Sequence, residues 1–266
     1  MSESHVTKDE LLQALYTGCI KPVVQLVVGE PDGTPVGLEI LARWVQADGC
    51  VVSPDAFIAQ ATRNGLEIAI ARTLMEKTAP AAHRMAKSLG QPLVVGINAG
   101  PTCIEDPAFE AACATFISVC HYSDVSLALE ITEREPLTPS LIPSLLRLRA
   151  MGVKIVLDDF GTGYATADVL AWLMPDIVKL DRSLTMLAGA GDPGGQLTVA
   201  LETLNSNAVT ILAEGVETFQ EYDWLYSHGI RLFQGYLFSR PVPPEILDIS
   251  IRKNYLPQTR LNKFPK

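Results

Sequence analysis

The chain has no apolar run approaching the ~18 residues that a membrane-spanning helix needs, so no membrane span is expected. It is also short of positive charge: 21 Lys+Arg stand against 30 Asp+Glu, a net charge of −9. Such a protein has no general attraction for a phosphate backbone. Polymeric nucleic acid is therefore not an expected partner, and a polyanionic ligand would have to be held by metal ions or a few placed cations. Cysteine is sparse and unordered: Cys19, Cys50, Cys103, Cys113 and Cys120 form no C-x-x-C pair, and reduced structural thiols are expected. The four histidines, His5, His83, His121 and His228, show no paired spacing, which argues against zinc. Met1–Leu12 lack the charged and apolar regions of a signal peptide, and a cytoplasmic location is expected. Internal repeats and low-complexity tracts are missing too.

What is present is a β/α alternation over most of the 266 residues, 48% of them apolar. Strand-like runs fall at Pro22–Val28, Val36–Trp44, Leu93–Ile97, Val125–Ile131, Val153–Leu157, Ile177–Leu180, Val209–Ala213 and Ile230–Phe233. Helical segments lie between them. One has Ser53 as N-cap and Pro54 at its first position; a longer one closes near Gly90. Another opens at Thr138-Pro139, puts Ile142, Leu145 and Leu146 on one face, and ends before Gly152. Helices near Gln196–Asn205 and Thr218–His228 precede the last two strands. Eight strands separated by amphipathic helices predict an α/β fold, a TIM-like closed barrel. The short Gly29–Pro35 connection, with Asp32-Gly33, predicts a hairpin and hence one antiparallel strand. The expected divisions are an N-terminal extension (1–10), a barrel domain (11–247) and a basic tail (248–266).

Polar residues cluster at the strand ends. Glu39 interrupts strand two, Asn98 follows strand three, and Glu130 ends strand four with Glu133 three residues on. Asp158 and Asp159 follow strand five, Lys179 and Asp181 flank the end of strand six, Glu214 and Glu217 follow strand seven, and Gln234 follows strand eight. Parallel barrel strands end around one mouth, so these groups should converge. Carboxylates so gathered repel one another unless cations sit among them. Carboxylates with one Asn and one Gln are hard oxygen donors suited to Mg²⁺ or Mn²⁺. Adjacent Asp158 and Asp159 can reach different ions, a geometry suited to phosphodiester hydrolysis.

Several ordered motifs together resemble the EAL-domain phosphodiesterases, which linearise cyclic di-GMP, from about Leu11 to Leu247. They are Gly37-Leu-Glu-Ile-Leu-Ala-Arg-Trp44, Ile97-Asn98, Leu129-Glu-Ile-Thr-Glu133, Asp158-Asp-Phe-Gly-Thr-Gly-Tyr164, Lys179-Leu-Asp-Arg-Ser183, Ala213-Glu-Gly-Val-Glu217 and Phe233-Gln-Gly-Tyr-Leu-Phe-Ser-Arg-Pro241. The resemblance implies that Glu39, Asn98, Glu130 and Asp158 hold one metal ion, with Gln234 near it. Asp158 would bridge to a second ion held also by Asp159 and Glu214. It implies that Lys179 touches the water between the ions, that Asp181 orients this lysine or water, and that Glu217 supports the catalytic group. Arg43 would grip a substrate phosphate and Gln25 would lie near the ligand. Glu133 would anchor the loop from Asp159 to Thr166, which in the family couples dimerisation to metal binding; a homodimer is the implied assembly.

Departures from the family pattern are Ile40 in the middle of the name motif, Leu26 after the strand-one glutamine, Ala99-Gly100 after Asn98, and Ala165-Thr166 after Tyr164. No expected metal ligand is missing. The alternative reading is a catalytically weak domain that senses cyclic di-GMP or binds a regulatory protein; hydrolysis of a different phosphodiester is a third. Gly189-Ala-Gly-Asp-Pro-Gly194 satisfies G-x-G-x-x-G, but Asp192-Pro193 would break the helix such a fingerprint opens, so a flexible surface loop is expected.

Overall fold

A computed structural model describes residues 6–30, 33–132, 137–162 and 167–252. Glu133, Tyr164, Ala165, Thr166 and the tail beyond Arg252 lie outside the described residues, so the expectations placed on them are not addressed. In chain order the elements begin with α1 (Lys8–Tyr16), β1 (Ile20–Gly29), β2 (Thr34–Val45), β3 (Val51–Val52), α2 (Pro54–Arg63), α3 (Glu67–Leu89) and β4 (Leu93–Asn98). There follow α4 (Pro101–Glu105), α5 (Pro107–Cys120), β5 (Val125–Thr132), a 3₁₀ turn (Pro139–Leu141), α6 (Ile142–Ala150), β6 (Lys154–Phe160), α7 (Ala167–Leu173) and β7 (Ile177–Leu180). The last elements are α8 (Arg182–Ala188), α9 (Gln196–Ser206), β8 (Thr210–Ala213), α10 (Phe219–Ser227), β9 (Leu232–Phe233) and α11 (Pro244–Arg252).

The sheet runs β1-β9-β8-β7-β6-β5-β4-β2-β3, and an additional β1–β2 pairing closes it into a barrel. β1 is antiparallel to both its barrel neighbours, while the pairings from β2 through β4 to β9 are parallel. The predicted barrel with one antiparallel strand is thus what forms; β3, two residues antiparallel to β2, is an addition outside it. The eighth barrel strand shrinks from the expected four residues to Leu232–Phe233.

Helix chemistry follows the sequence with two corrections. Gly90 ends α3 in the left-handed conformation at φ 66°, as a glycine C-cap allows. On α6, however, Leu145 and Leu148 continue the buried face of Leu141, whereas Leu146 is 57% exposed. The core-facing spacing is i, i+4, i+7, one position off the expected face. The glycine-rich segment is not loose at its centre. Asp192 is buried and accepts hydrogen bonds from Leu197 N, Thr198 N and Thr198 Oγ1, securing the start of α9. Its carboxylate satisfies amides that the first helical turn cannot bond internally. Cys113 and Cys120 are buried on α5, and all five cysteines are free thiols. Among the described residues no helix is long and apolar enough to cross a membrane.

Candidate active site

Strand register delivers the acids to one mouth. Gln25 pairs with Glu39 across β1 and β2, Glu39 lies beside Gly96 of β4, and Asn98 lies beside Glu130. Side chains alternate across a strand, so Gln25, Glu39 and Glu130 share the inward face with Lys179 of β7. The β6–β7 register shifts between Leu157 and Phe160, a local irregularity at which the adjacent Asp158 and Asp159 both bring a carboxylate oxygen to Glu214. Asp159 takes φ 59°, a conformation uncommon for a non-glycine residue, and Asp158 Oδ1 accepts from Asp159 N at 2.8 Å. Thr132 Oγ1 donates to Asp159 Oδ2 at 3.0 Å.

Lys179 is the hub. Its ammonium is buried and lies 2.7 Å from Glu214 Oε1, 2.9 Å from Glu130 Oε2, 3.3 Å from Asp158 Oδ2 and 3.5 Å from Glu39 Oε2. Burial works against its charge, but the four carboxylates outweigh burial and hold its pKa well above the ordinary lysine value. The carboxylates feel the reverse. Burial pushes Glu130 well above its usual range and raises Asp158, and it takes Glu214 up to about 8, although Lys179 pulls all three down. Four carboxylates share one ammonium and Asp159 adds a fifth negative charge beside Asp158 and Glu214, an excess that a divalent cation would relieve.

Two further observations test the fit to a cation. One oxygen each of Asp158, Asp159 and Glu214 lie within 4.8 Å of one another. Gln234 Nε2 donates to Glu39 Oε2 at 2.7 Å, while Gln234 Oε1 is buried with no hydrogen-bond partner among the described residues, a hard oxygen left for another occupant. Asn98 is at the exposed edge and donates from Nδ2 to Glu39 Oε1 at 3.2 Å, which keeps its carbonyl oxygen out of that bond. The donor set is one that Mg²⁺ or Mn²⁺ accepts.

Above the acids opens a cavity of about 440 Å³, its wall including Gln25, Glu39, Asp158, Asp159, Asp181 and Glu214. Gln25 Nε2 donates to Ser239 O at 3.0 Å, tying β1 to the segment after β9. Asp181 N-caps α8, accepting from Ser183 N at 2.8 Å, and Lys179 finds its ion pairs elsewhere. That cap opens a helix starting three residues after Lys179 and places Asp181 on the cavity wall, where the expected orienting of the lysine or of a water belongs to the functional proposal. Glu217 is at the rim, paired with Arg182 Nη1 at 2.5 Å, and that guanidinium holds its carboxyl below the usual range.

Arg43 is not brought into this cavity. It sits two pleats beyond Leu41 on the hairpin, donates from Nη1 to Ala42 O at 2.8 Å, and lines a separate groove with Lys21, Val23 and Pro243. Trp44 is also withdrawn, buried edge-on against Phe57. Tyr236, by contrast, is half-exposed on the cavity wall with the Arg240 guanidinium 4.2 Å over its ring.

The residues without an assigned role in the sequence reading are Gly96 and Arg182. Gly96 leaves the space that Glu130 Oε1 fills. Arg182, on the cavity wall, follows Asp181 directly, and a cation next to a strand-end acid is the one signal that could have pointed to it.

The chain matches the family model described as the EAL domain over residues 8–241. It is 38% identical over 241 residues to the probable cyclic di-GMP phosphodiesterase PdeG of Escherichia coli (strain K12), covering 89% of this chain and 47% of that protein. It is 33% identical over 241 residues to the cyclic di-GMP phosphodiesterase PdeL of the same organism, covering 90% of this chain and 67% of that one. The chain thus spans about half to two thirds of the length of these relatives. Among solved structures, the complex of the PaMucR phosphodiesterase with c-di-GMP superposes with a TM-score of 0.76 at 26% identity, covering 90% of this chain and 98% of the other. With the family's motifs in order around one barrel mouth, this chain belongs to the EAL domain family.

Proposed function

We propose that the chain is a cyclic di-GMP phosphodiesterase, adding water across one phosphodiester bond of the ring to release linear pGpG. The observation that carries this reading is the convergence of Glu39, Glu130, Asp158, Asp159 and Glu214 around buried Lys179 at the floor of the cavity. The activity named for PdeG and PdeL and the ligand of the PaMucR complex support the choice of substrate. A cavity of this size suits a small-molecule ligand.

The donor set supports two divalent ions, Mg²⁺ or Mn²⁺. Glu39, Asn98, Glu130, Asp158 and Gln234 would hold one, and Asp158, Asp159 and Glu214 the other. When bound, such ions neutralise phosphate oxygens and lower the pKa of a shared water. Lys179 supplies a fixed positive charge, from a buried position at the cavity floor, where negative charge grows in the transition state. Asp181 fixes the first turn of α8 beside that lysine, and Gln25 offers a polar edge to the ligand from the opposite wall. Arg43 reaches a substrate phosphate only once its guanidinium leaves Ala42 O. Glu133 as the loop anchor and a homodimer complete the family reading, the latter read directly by light scattering. The five free thiols support a reducing, cytoplasmic setting.

Incubation with cyclic di-GMP and Mg²⁺ or Mn²⁺, followed by nucleotide chromatography, tests the proposal. Accumulation of pGpG that Lys179→Ala slows by about 10²–10³-fold is the expected result. Cyclic di-GMP bound but returned intact would overturn hydrolysis in favour of a sensing domain. Turnover of other phosphodiesters alone would overturn the substrate.

A further inference from the structure

The carboxylate of Glu214 projects from a four-residue turn, Glu214–Glu217, that leaves the end of β8. Backbone bonds hold part of this turn: Glu214 N donates to Leu180 O at 3.1 Å, Val216 N to Gln234 O at 3.0 Å, and Leu237 N to Val216 O at 3.0 Å. The carbonyls of Glu214 and Gly215 point elsewhere. Both are bonded by side chains from the first turn of α8. Thr185 Oγ1, fully buried, is 2.6 Å from Glu214 O, closer than the 3.1 Å to Arg182 O in its own helix. Arg182 Nη1 donates to Gly215 O at 2.9 Å and reaches on to Glu217 Oε1.

The stem of Arg182 lies over Gly215 as well. A Cβ at position 215 would come within 2.7 Å of Arg182 Cγ, and the residue is at φ +64°, so the glycine is required twice over. The motifs Lys179–Ser183 and Ala213–Glu217 are therefore interlocked: the segment that begins with the central lysine also grips the backbone on either side of its nearest carboxylate.

We infer that Arg182 and Thr185 are positioning residues that fix the Glu214 carboxylate toward the ion site by clamping the Glu214 and Gly215 carbonyls. The inference rests on the two-ion reading above and extends it to residues that hold no ion. A ligand carboxylate on an unclamped turn would sample many orientations, and groups that orient ligands are worth about 10–100-fold in metal affinity.

The test uses the full chain and Mn²⁺ alone, with affinity read by titration calorimetry and folding by thermal melts. Thr185→Val keeps the shape of the side chain and deletes the hydroxyl; Thr185→Ser keeps the hydroxyl and deletes the methyl. The expected result is Mn²⁺ affinity weakened about 10–100-fold in Thr185→Val and restored in Thr185→Ser. Wild-type affinity in a folded Thr185→Val, or equal weakening in both variants, would overturn the inference. If Thr185→Val does not fold, Arg182→Met decides, since it keeps most of the stem over Gly215 and removes the guanidinium: weakened Mn²⁺ binding supports the clamp and wild-type binding overturns it. Wild-type protein that takes up no Mn²⁺ would overturn the two-ion reading itself and the clamp with it, which separates that failure from the others.

Discussion

Lys179 Nζ lies 2.7 Å from Glu214 Oε1, the shortest of four ion pairs made by one buried ammonium. Removing that ammonium leaves several carboxylates facing one another without compensation. Lys179→Ala is expected to lower turnover of cyclic di-GMP by about 10²–10³-fold, the scale for loss of one electrostatic stabiliser. In EDTA the variant should also melt earlier, because breaking a buried ion pair costs about 3–5 kcal/mol, and excess Mn²⁺ should restore most of that loss. Single-turnover kinetics and thermal melts with and without metal check both halves; an unchanged rate would remove Lys179 from the chemistry.

The same carboxylates set the pH dependence of the metal-free chain. Burial raises Glu130 and Asp158 above their usual range and takes Glu214 up to about 8. A raised acid means that the folded state binds more protons than the unfolded one, so stability increases as pH falls. In EDTA the melting temperature should therefore climb as pH is lowered from about 9, through 8, toward the ordinary carboxylate range near 4. Saturating Mn²⁺ should flatten the trend, since a bound cation favours the ionised forms. A melting temperature that falls steadily on acidification in EDTA would contradict the buried-charge account.

Much of this site was legible because barrel geometry converts position along a run into position in space. Glu39, Asn98, Glu130, Asp158, Lys179, Glu214 and Gln234 each interrupt, end or follow an apolar run, and the parallel pairings bring those ends to one mouth. Details set by side-chain direction were not legible. Nothing in a sequence tells that Arg43 folds back on Ala42 O, or that the Asp181 carboxylate accepts from Ser183 N. Leu145 and Leu146 are equally apolar, and only docking on the sheet chooses between them. Gly96 and Arg182 gain their meaning from residues 34 and 33 positions away, Glu130 and Gly215, which become neighbours only in the barrel.

Gly96 carries a prediction of its own. It lies between Glu39 of β2 and Ala128 of β5, and a Cβ there would overlap Glu130 Oε1. That carboxylate is buried and held at 2.9 Å by Lys179, so it has little freedom to swing aside. Gly96→Ala should displace Glu130 and weaken Mn²⁺ binding by about 10–100-fold, the range for disturbing how a ligand is held. The far-UV spectrum should stay that of the wild type. Titration calorimetry with Mn²⁺ is the check; wild-type affinity would show that Glu130 is not a ligand or that it relocates without cost.

Asp192 separates stability from catalysis. It is buried, it lies in the glycine-rich segment before α9, and its carboxylate accepts from Leu197 N, Thr198 N and Thr198 Oγ1. Burial alone would raise its pKa, but the bonds from Thr198 and Leu197 prevail and hold it below the usual range. A lowered acid stabilises the fold above its ordinary pKa and loses that contribution as pH falls through the lowered value. Asp192→Ala should cost about 0.5–2 kcal/mol at neutral pH, as loss of a helix cap does, and lower the melting temperature by roughly 2–4 °C per kcal/mol in a chain of this size. The gap between wild type and variant should close as pH falls through that lowered value, where the carboxylate protonates in the folded state. Asp192 does not line the mouth cavity, so the rate on cyclic di-GMP at 25 °C should match that of the wild type. A gap that stays constant down to pH 2 would mean that the bonded form of Asp192 is not its carboxylate.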